Sequence, residues 1–385
     1  MNTVYLDNAA TTRVAPEVLE AMMPFLKEEF GNPSSFHSFG SSQMEAIDKA
    51  RGQVARLLGA KCEEIYFTSG GTESDNQALR GAVRNDPARR GIVISAVEHP
   101  AVLETAKALE NEGCTLELAE IDKNGELSLE SLKELVDQQT AIVSIMAANN
   151  ETGVIMPLKE AARIAHDAGA LFHTDAVQMV GKSPIDVHSL DIDILSLSAH
   201  KLHGPKGVGA IYIKKGIELS PLLTGGHQEK GVRSGTYNAP GIVGLGKAAE
   251  LALTHLKDTV IRERALREKF EKRVLETCPG SFVVAEGAAQ RLPGTVTLIF
   301  KGIESEAVLT LLDMQGIYAS SGSACSTGSK NPSHVLYAMG VDYTQANSAL
   351  RFSLSRYTTE EEIDRTVELL AVVVERLRRI SPYTE

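Results

Sequence analysis

Residues 191–201, DIDILSLSAHK, form an apolar run that ends in small and polar residues just before LHGPKGVG. This pattern predicts a buried strand that presents Ser198, His200 and Lys201 at the turn after it. In open α/β sheets the carboxyl ends of strands are where ligands bind. A lysine held there among neighbours that lower its pKa is the usual device for forming a Schiff base with an aldehyde cofactor. A solvated surface lysine is the commoner role for this residue type, so the rest of the chain has to decide. Lys206, in the glycine-rich GPKGVG turn, is the competing amine and reads as peripheral.

Outward from that stretch, residues 60–215 alternate short β-rich runs with amphipathic patterns. The strands are expected at EIYFTSG, GIVISAVEH, CTLELAEI, TAIVSIMAAN, ALFHTDAVQ, DIDILSLSAHK and GVGAIYIKK. Helical patterns such as ESDNQALRGAVRN, PAVLETAKALENEG, SLESLKELVDQ and PLKEAARIAHDAG lie between them. Apolar strands separated by helices indicate an α/β fold with a mainly parallel seven-stranded sheet covered by helices on both faces. A long helical pattern over 240–277 leads to a smaller α+β unit with strands at TVTLIF and LRFSLSR and a last helix capped by Thr-Thr-Glu-Glu-Glu. The expected division is a large unit, 14–255, and a small one made of 1–13 and 256–385.

A chain of 385 residues exceeds one compact core. With 43% hydrophobic and 23% charged residues it reads as soluble and globular. The formal charge of −11, with both signs interspersed, argues against a nucleic-acid or acidic-membrane binder. MNTVYLDNAATT has no signal-peptide character, and no apolar run reaches the length of a membrane span. Cys62, Cys114, Cys278 and Cys325 are far apart, with no CxxC pair, so neither a disulfide framework nor a resident metal site is expected. Reduced thiols and a cytoplasmic location fit best.

The polar residues at strand ends carry the chemistry. In TSGGTESDN, Gly70 and Gly71 allow a tight turn, and Gly71 and Thr72 open a helix whose amides suit a phosphate; a plain helix cap is the alternative. His99 ends a strand ahead of Pro100, where it could stack on a planar cofactor and move protons, or simply cap the helix. Asp175 ends an apolar run and needs a positive partner; a protonated pyridine nitrogen fits, and so does a salt bridge to another segment. Gln178 and Asn150 could reach the ring oxygen of such a cofactor, and Ser198 and His200 the same phosphate as Thr72. Cys325 sits among small residues in YASSGSACSTGSKNPSHV, unusual for a residue type that is commonly buried, and reads as a reactive thiol or an accidental surface cysteine. Arg351 offers a planar cation to a substrate carboxylate or to a structural ion pair.

Together these segments resemble the fold-type I pyridoxal-phosphate enzymes and, more narrowly, the cysteine desulfurases of the NifS/IscS type. The resemblance covers nearly the whole chain in order: YLDNAATT, FGNPSSFHSFG, FTSGGTESDN, SAVEHPAV, AANNETGV, FHTDAVQ, SLSAHKLHGPKGVG, GGHQEKGVRSGTYN, SSGSACS and LRFSLSRYTTEEEID. It implies pyridoxal 5'-phosphate bound to Lys201, with Asp175 on the pyridinium, His99 stacking and acting as acid/base, and Asn150 and Gln178 on the ring oxygen. It further implies a phosphate held by Gly71, Thr72, Ser198 and His200, and a homodimer in which Thr236 completes the neighbouring site. Arg351 and Asn150 would bind the substrate, L-cysteine. Cys325 would take its sulfur as a persulfide for an iron–sulfur scaffold or another acceptor, and at most lend itself as a transient iron–sulfur ligand.

The chain departs from the family pattern at three places. Gly71 stands where alanine is common, His227 where a third glycine is usual, and the chain ends at SPYTE without the longer tail that housekeeping members use on a scaffold. Backbone binding should tolerate glycine in place of that alanine at position 71, and docking through such a tail is not expected. The rival readings are a selenocysteine lyase or cysteine sulfinate desulfinase, which depends less on Cys325, an aminotransferase, and a non-catalytic assembly subunit.

Overall fold

The computed structural model describes residues 3–321 and 333–381. The chain opens with β1 (Val4–Tyr5), followed by two helices, α1 (Pro16–Lys27) and α2 (Ser38–Leu58). It then alternates through β2 (Ile65–Thr68), α3 (Gly71–Asn85), β3 (Gly91–Ser95), α4 (Pro100–Asn111), β4 (Thr115–Ala119), α5 (Leu129–Leu135), β5 (Thr140–Ser144), α6 (Leu158–Asp167), β6 (Leu171–Asp175), β7 (Ile194–Ser198) and β8 (Gly209–Ile213). All seven strands expected over 60–215 are present and form one sheet in the order β2-β8-β7-β6-β5-β3-β4. Only β8 runs against its neighbours, β2 and β7. Strands β5, β7 and β8 are buried throughout, as strands covered on both faces require.

The strand order places the site. The chain runs from β3 outward to β4, then returns to β5 on the other side of β3. A sheet whose order reverses this way opens a crevice at its carboxyl edge. His99 follows β3 there, and Asp175 ends β6 and Lys201 follows β7 at the same edge.

α7 (Ala239–Thr277) then runs unbroken for 39 residues, about 58 Å at the helical rise, and passes through residue 255, where the sequence pattern divides two units. Beyond it come β9 (Ser281–Val283), β10 (Thr295–Phe300), α8 (Ser305–Asp313), β11 (Ile317–Tyr318), β12 (Ser320–Ser321), α9 (His334–Ala338), α10 (Tyr343–Ala346), β13 (Ala349–Ser353) and α11 (Glu360–Ile380). An antiparallel sheet, β12-β13-β10-β9, forms here, while β1 pairs in parallel with β11. The Thr-Thr-Glu-Glu-Glu start of α11 is a capping box: Thr359 Oγ1 accepts from Glu362 N at 3.2 Å, and Glu362 Oε2 accepts from Thr359 N at 2.8 Å.

The sequence expectations place no element at α1 or α2. The buried face of α2 joins Ile47, Val54, Leu57 and Leu58 to Gly40, Gln43, Ala50 and Gln53, so small and polar residues interrupt its apolar period. It is buried because α7 packs closely on it. At Gly246 of α7 an added Cβ would lie 2.5 Å from Ala50 Cβ and 2.6 Å from Ala50 Cα. Gly246→Ala would gain about 1 kcal/mol of helix propensity. The clash falls on a neighbouring backbone that no rotamer change relieves, and overpacking of this kind costs about 1–3 kcal/mol. We therefore expect Gly246→Ala to lower stability, read as an earlier denaturant midpoint.

Candidate active site

At the carboxyl edge of the large sheet is a cavity of about 250 Å3, lined by Gly71, Thr72, His99, Asn150, Asp175, Gln178, Ser198, His200 and Lys201 among others. Nine residues singled out from the sequence thus meet in one place. Gly70 carries φ of +157°, a conformation for which glycine is suited, and lets α3 begin at Gly71 with its free amides at the cavity. Ser198 and His200 reach the same cavity from the end of β7. A Cβ at Gly71 would sit 2.7 Å from Val177 Cγ2, so in this chain an alanine there would require Val177 to shift.

His99 is both a cap and a cavity residue. Its Nδ1 accepts from Ala101 N at 3.1 Å at the start of α4, so the proton of the neutral ring is on Nε2. Burial holds its pKa below the ordinary imidazole value; nearby Lys201 adds to this and Asp175 opposes it. Asp175 accepts from Val177 N at 2.9 Å and forms no ion pair among the described residues. Burial raises its pKa, and the charges of His99 and Lys201 pull it back toward the ionised form.

Lys201 Nζ donates to Ala9 O at 2.5 Å and Ala10 O at 2.7 Å. Those carbonyls belong to a strap that crosses from the small sheet. On one side Asn8 Nδ2 donates to Ser353 O at 2.9 Å and Ala9 N to Ser353 Oγ at 2.8 Å. On the other, Thr12 N donates to His200 O at 2.9 Å and His203 N to Thr12 Oγ1 at 2.9 Å.

Two sequence candidates, Arg351 and Thr236, do not line this cavity. Arg351 is fully buried, with Nη2 on Asp7 Oδ1 at 2.9 Å and Nη1 on Asn150 O at 3.0 Å, while its Nε has no hydrogen-bond partner among the described residues. Thr236 is exposed and does not line the cavity. Cys325 lies outside the described residues. Lys206 is exposed and His227 is exposed. Among the described residues no cluster of histidine, cysteine and acidic groups could hold a metal ion, and no helix is long and apolar enough to cross a membrane.

A class-V aminotransferase family model matches residues 4–366. The chain is 52% identical over 384 residues to the cysteine desulfurase NifS of Azotobacter vinelandii, covering all of this chain and 95% of that protein. It is 51% identical over 383 residues to a cysteine desulfurase of Trichormus azollae, covering 96% of it. The chain belongs to the cysteine desulfurases of the class-V aminotransferase family. Among solved structures, a NifS-like protein superposes with a TM-score of 0.92 at 41% identity, over 98% of this chain and 100% of the other. A structure of SspA in complex with cysteine superposes with a TM-score of 0.81 at 35% identity, over 93% of this chain and 100% of the other. The family implies pyridoxal phosphate, and the residues present fit it. A helix N-terminus with two polar side chains suits a phosphate, a buried carboxylate without an ion pair suits a pyridinium, and an amine stands at the same cavity.

Sequence reasoning missed three titratable groups around these residues. Asp75 on α3 lines the same cavity, is buried, and its Oδ1 has no hydrogen-bond partner among the described residues. Burial and the charge of Asp175 raise its pKa well above the usual carboxylate range. His173 is buried between Ser144 Oγ at 2.8 Å and Ser196 Oγ at 3.0 Å, and burial lowers it to about 3. Glu98 Oε1 accepts from Ser95 Oγ at 2.6 Å and Met146 N at 2.7 Å, its Oε2 has no hydrogen-bond partner among the described residues, and burial raises its pKa to about 8. The available signal was an acid next to His99 inside an apolar strand end; without knowledge of burial it reads as a surface charge.

Glu98 yields a pH prediction. Its folded pKa is above the unfolded value of about 4.3, so between that value and about pH 8 the folded state binds the extra proton and stability falls as pH rises. Glu98→Gln keeps the shape without titrating. Its thermal midpoint relative to the parent should therefore rise from pH 5 to pH 8, and differential scanning calorimetry across that range checks it.

Proposed function

We propose that the chain converts L-cysteine to L-alanine and passes the sulfur to Cys325 as a persulfide. The reading rests on one observation above all: an amine, a buried carboxylate and an imidazole converge on one cavity whose rim opens a helix N-terminus. Pyridoxal phosphate, when bound, supplies an electron sink that makes the substrate Cα–H acidic. The phosphate is assigned to Gly71, Thr72, Ser198 and His200, the pyridinium proton to Asp175, and the ring oxygen to Gln178 and Asn150. His99 stacks on the ring face, and Nε2 is the atom it has available for proton transfer.

Lys201 then removes the proton from Cα and returns one. Its two carbonyl contacts keep the amine at the cavity when it is not bonded to cofactor, close enough to act as a base. Arg351 is assigned to the substrate carboxylate. Its guanidinium is oriented by Asp7 and Asn150 O, so the incoming carboxylate meets a fixed planar cation and has to offset the competing charge of Asp7. Cys325 thiolate attacks the substrate sulfur, whose bond to carbon breaks, and carries the sulfur to an acceptor protein such as an iron–sulfur scaffold. A homodimer is part of the proposal: Thr236 is exposed in its own chain and is assigned to the phosphate of a neighbouring copy. Exposed Phe30, Phe36 and Phe39 supply apolar surface for such a neighbour. A large cofactor-binding unit over 14–255, a small unit holding the two chain ends, and a cytoplasmic location complete the reading.

The test is an intact mass spectrum after brief exposure to L-cysteine without reductant, with peptide mapping. Sulfur should appear on the peptide holding Cys325. Cys325→Ala should retain the cofactor's visible absorption and lose persulfide and sulfide formation by at least about 100-fold, the scale at which removal of a nucleophile is usually felt. Undiminished turnover of L-cysteine by that variant would overturn the assignment.

A further inference from the structure

Lys201 also lines a second and smaller cavity of about 30 Å3, room for a water molecule. Lys182, Lys201, His203, His255, Glu263 and Arg356 are the titratable and charged groups on its walls. Lys201 alone among these also lines the cofactor cavity. Lys182 has no part in the mechanism above, yet it is linked to that site by a chain of hydrogen bonds: Lys182 Nζ donates to Gln178 Oε1 at 2.9 Å, and Gln178 Nε2 donates to Ala9 O at 2.9 Å. Ala9 O is also the acceptor of Lys201 Nζ at 2.5 Å.

The chemistry of this chain admits one orientation of the Gln178 amide. A backbone carbonyl only accepts, so Nε2 must face Ala9. Oε1 has no hydrogen and faces Lys182, whose amine keeps N–H donors whether or not it is charged. Loss of hydration, with the charge of Lys201 adding to it, pulls the Lys182 amine down to about 7; Glu263 opposes that shift, and burial lifts Glu263 to about 7. An amide nitrogen carries two N–H groups, and Ala9 O takes one. The second is left for the cofactor side, where a ring oxygen in its anionic form is the acceptor it suits.

We propose that Lys182 is a positioning residue of the cofactor site, which works from the second cavity by holding Gln178 with its N–H groups, not its oxygen, toward the cofactor ring. This rests on the assignment of Gln178 to the ring oxygen made above. It makes the second cavity part of the active-site apparatus: the side chain that sets the polarity of a cofactor contact stands outside the cofactor cavity. With the cofactor bound, a donor on the ring oxygen would withdraw charge from it and weaken its hold on a proton at Lys201 Nζ. Loss of that donor, and of a cation beside Lys201, should both raise the pH at which that proton leaves.

The test uses the cofactor-loaded full-length chain. Lys182→Met should bind pyridoxal phosphate about tenfold less tightly, the equivalent of one good hydrogen bond, and the midpoint of its visible-absorption pH titration should move upward. Lys182→Arg, which keeps donors and charge, should restore both. Gln178→Ala should show the same two changes, and adding Lys182→Met to it should change the affinity little further, because the two act as one unit. Lys182→Ala carries the same expectations should the methionine variant fail to fold. If Gln178→Ala alters affinity and titration while Lys182→Met leaves both at the parent values, or if the two losses simply add, the positioning role is wrong and the Gln178 assignment stands. If Gln178→Ala alters neither, that assignment fails and the role of Lys182 fails with it.

Discussion

The site depends on two backbone carbonyls, Ala9 O and Ala10 O, that receive the Lys201 amine. An amine half inside a protein has to find acceptors or lose its proton. Side-chain carboxylates would have supplied them at the cost of a permanent ion pair, which would compete with the bond the lysine is to make. Carbonyls accept without adding a charge. They have to be brought from the opposite end of the chain, and the strap over residues 7–12 does this, fastened to Ser353 on one side and to His200 and His203 on the other. The small sheet and the lysine turn are therefore coupled through hydrogen bonds, and β13 does more than complete a sheet.

The same economy of charge governs the acids around Asp175. Three carboxyl groups, those of Asp75, Glu98 and Asp175, are buried near one another, and at low dielectric they cannot all ionise. Asp175 has His99 and Lys201 nearby to favour its charged form, whereas Asp75 and Glu98 are raised by burial and by the charge of Asp175. The result directs one negative charge to the cavity and keeps the neighbouring acids neutral. His173, lowered to about 3 between two serines, adds a polar but uncharged backing.

Much of this was legible in the sequence, and the reasons differ by element. Most of the seven strands stand out because they are apolar and bounded by turn residues, as burial on two faces demands, whereas β4 at the sheet edge is largely exposed and carries Glu117. Lys201, Asp175, His99 and the Gly70–Thr72 turn stand out because they break those runs at one end only, the end where a parallel sheet gathers its loops. α1 and α2 were passed over: the buried face of α2 mixes Ile47, Val54, Leu57 and Leu58 with Gly40, Gln43, Ala50 and Gln53, and its close approach to α7 uses small residues that dilute the apolar period. The strap was visible only as a family-like segment, YLDNAATT, with no role, because its contribution comes from main-chain carbonyls that every sequence carries.

By itself, then, the sequence determined which side chains could do chemistry and that a parallel sheet would collect most of them along one edge, because residue type and hydrophobic period are local properties. The tertiary structure alone decided how each is tuned. Whether Glu98 is a surface charge or a neutral buried acid, whether Arg351 stands free or is held by Asp7, and which way the Gln178 amide faces all depend on partners far away in the chain. Hydrogen-bond polarity and dielectric are properties of the assembled interior, and no segment carries them on its own.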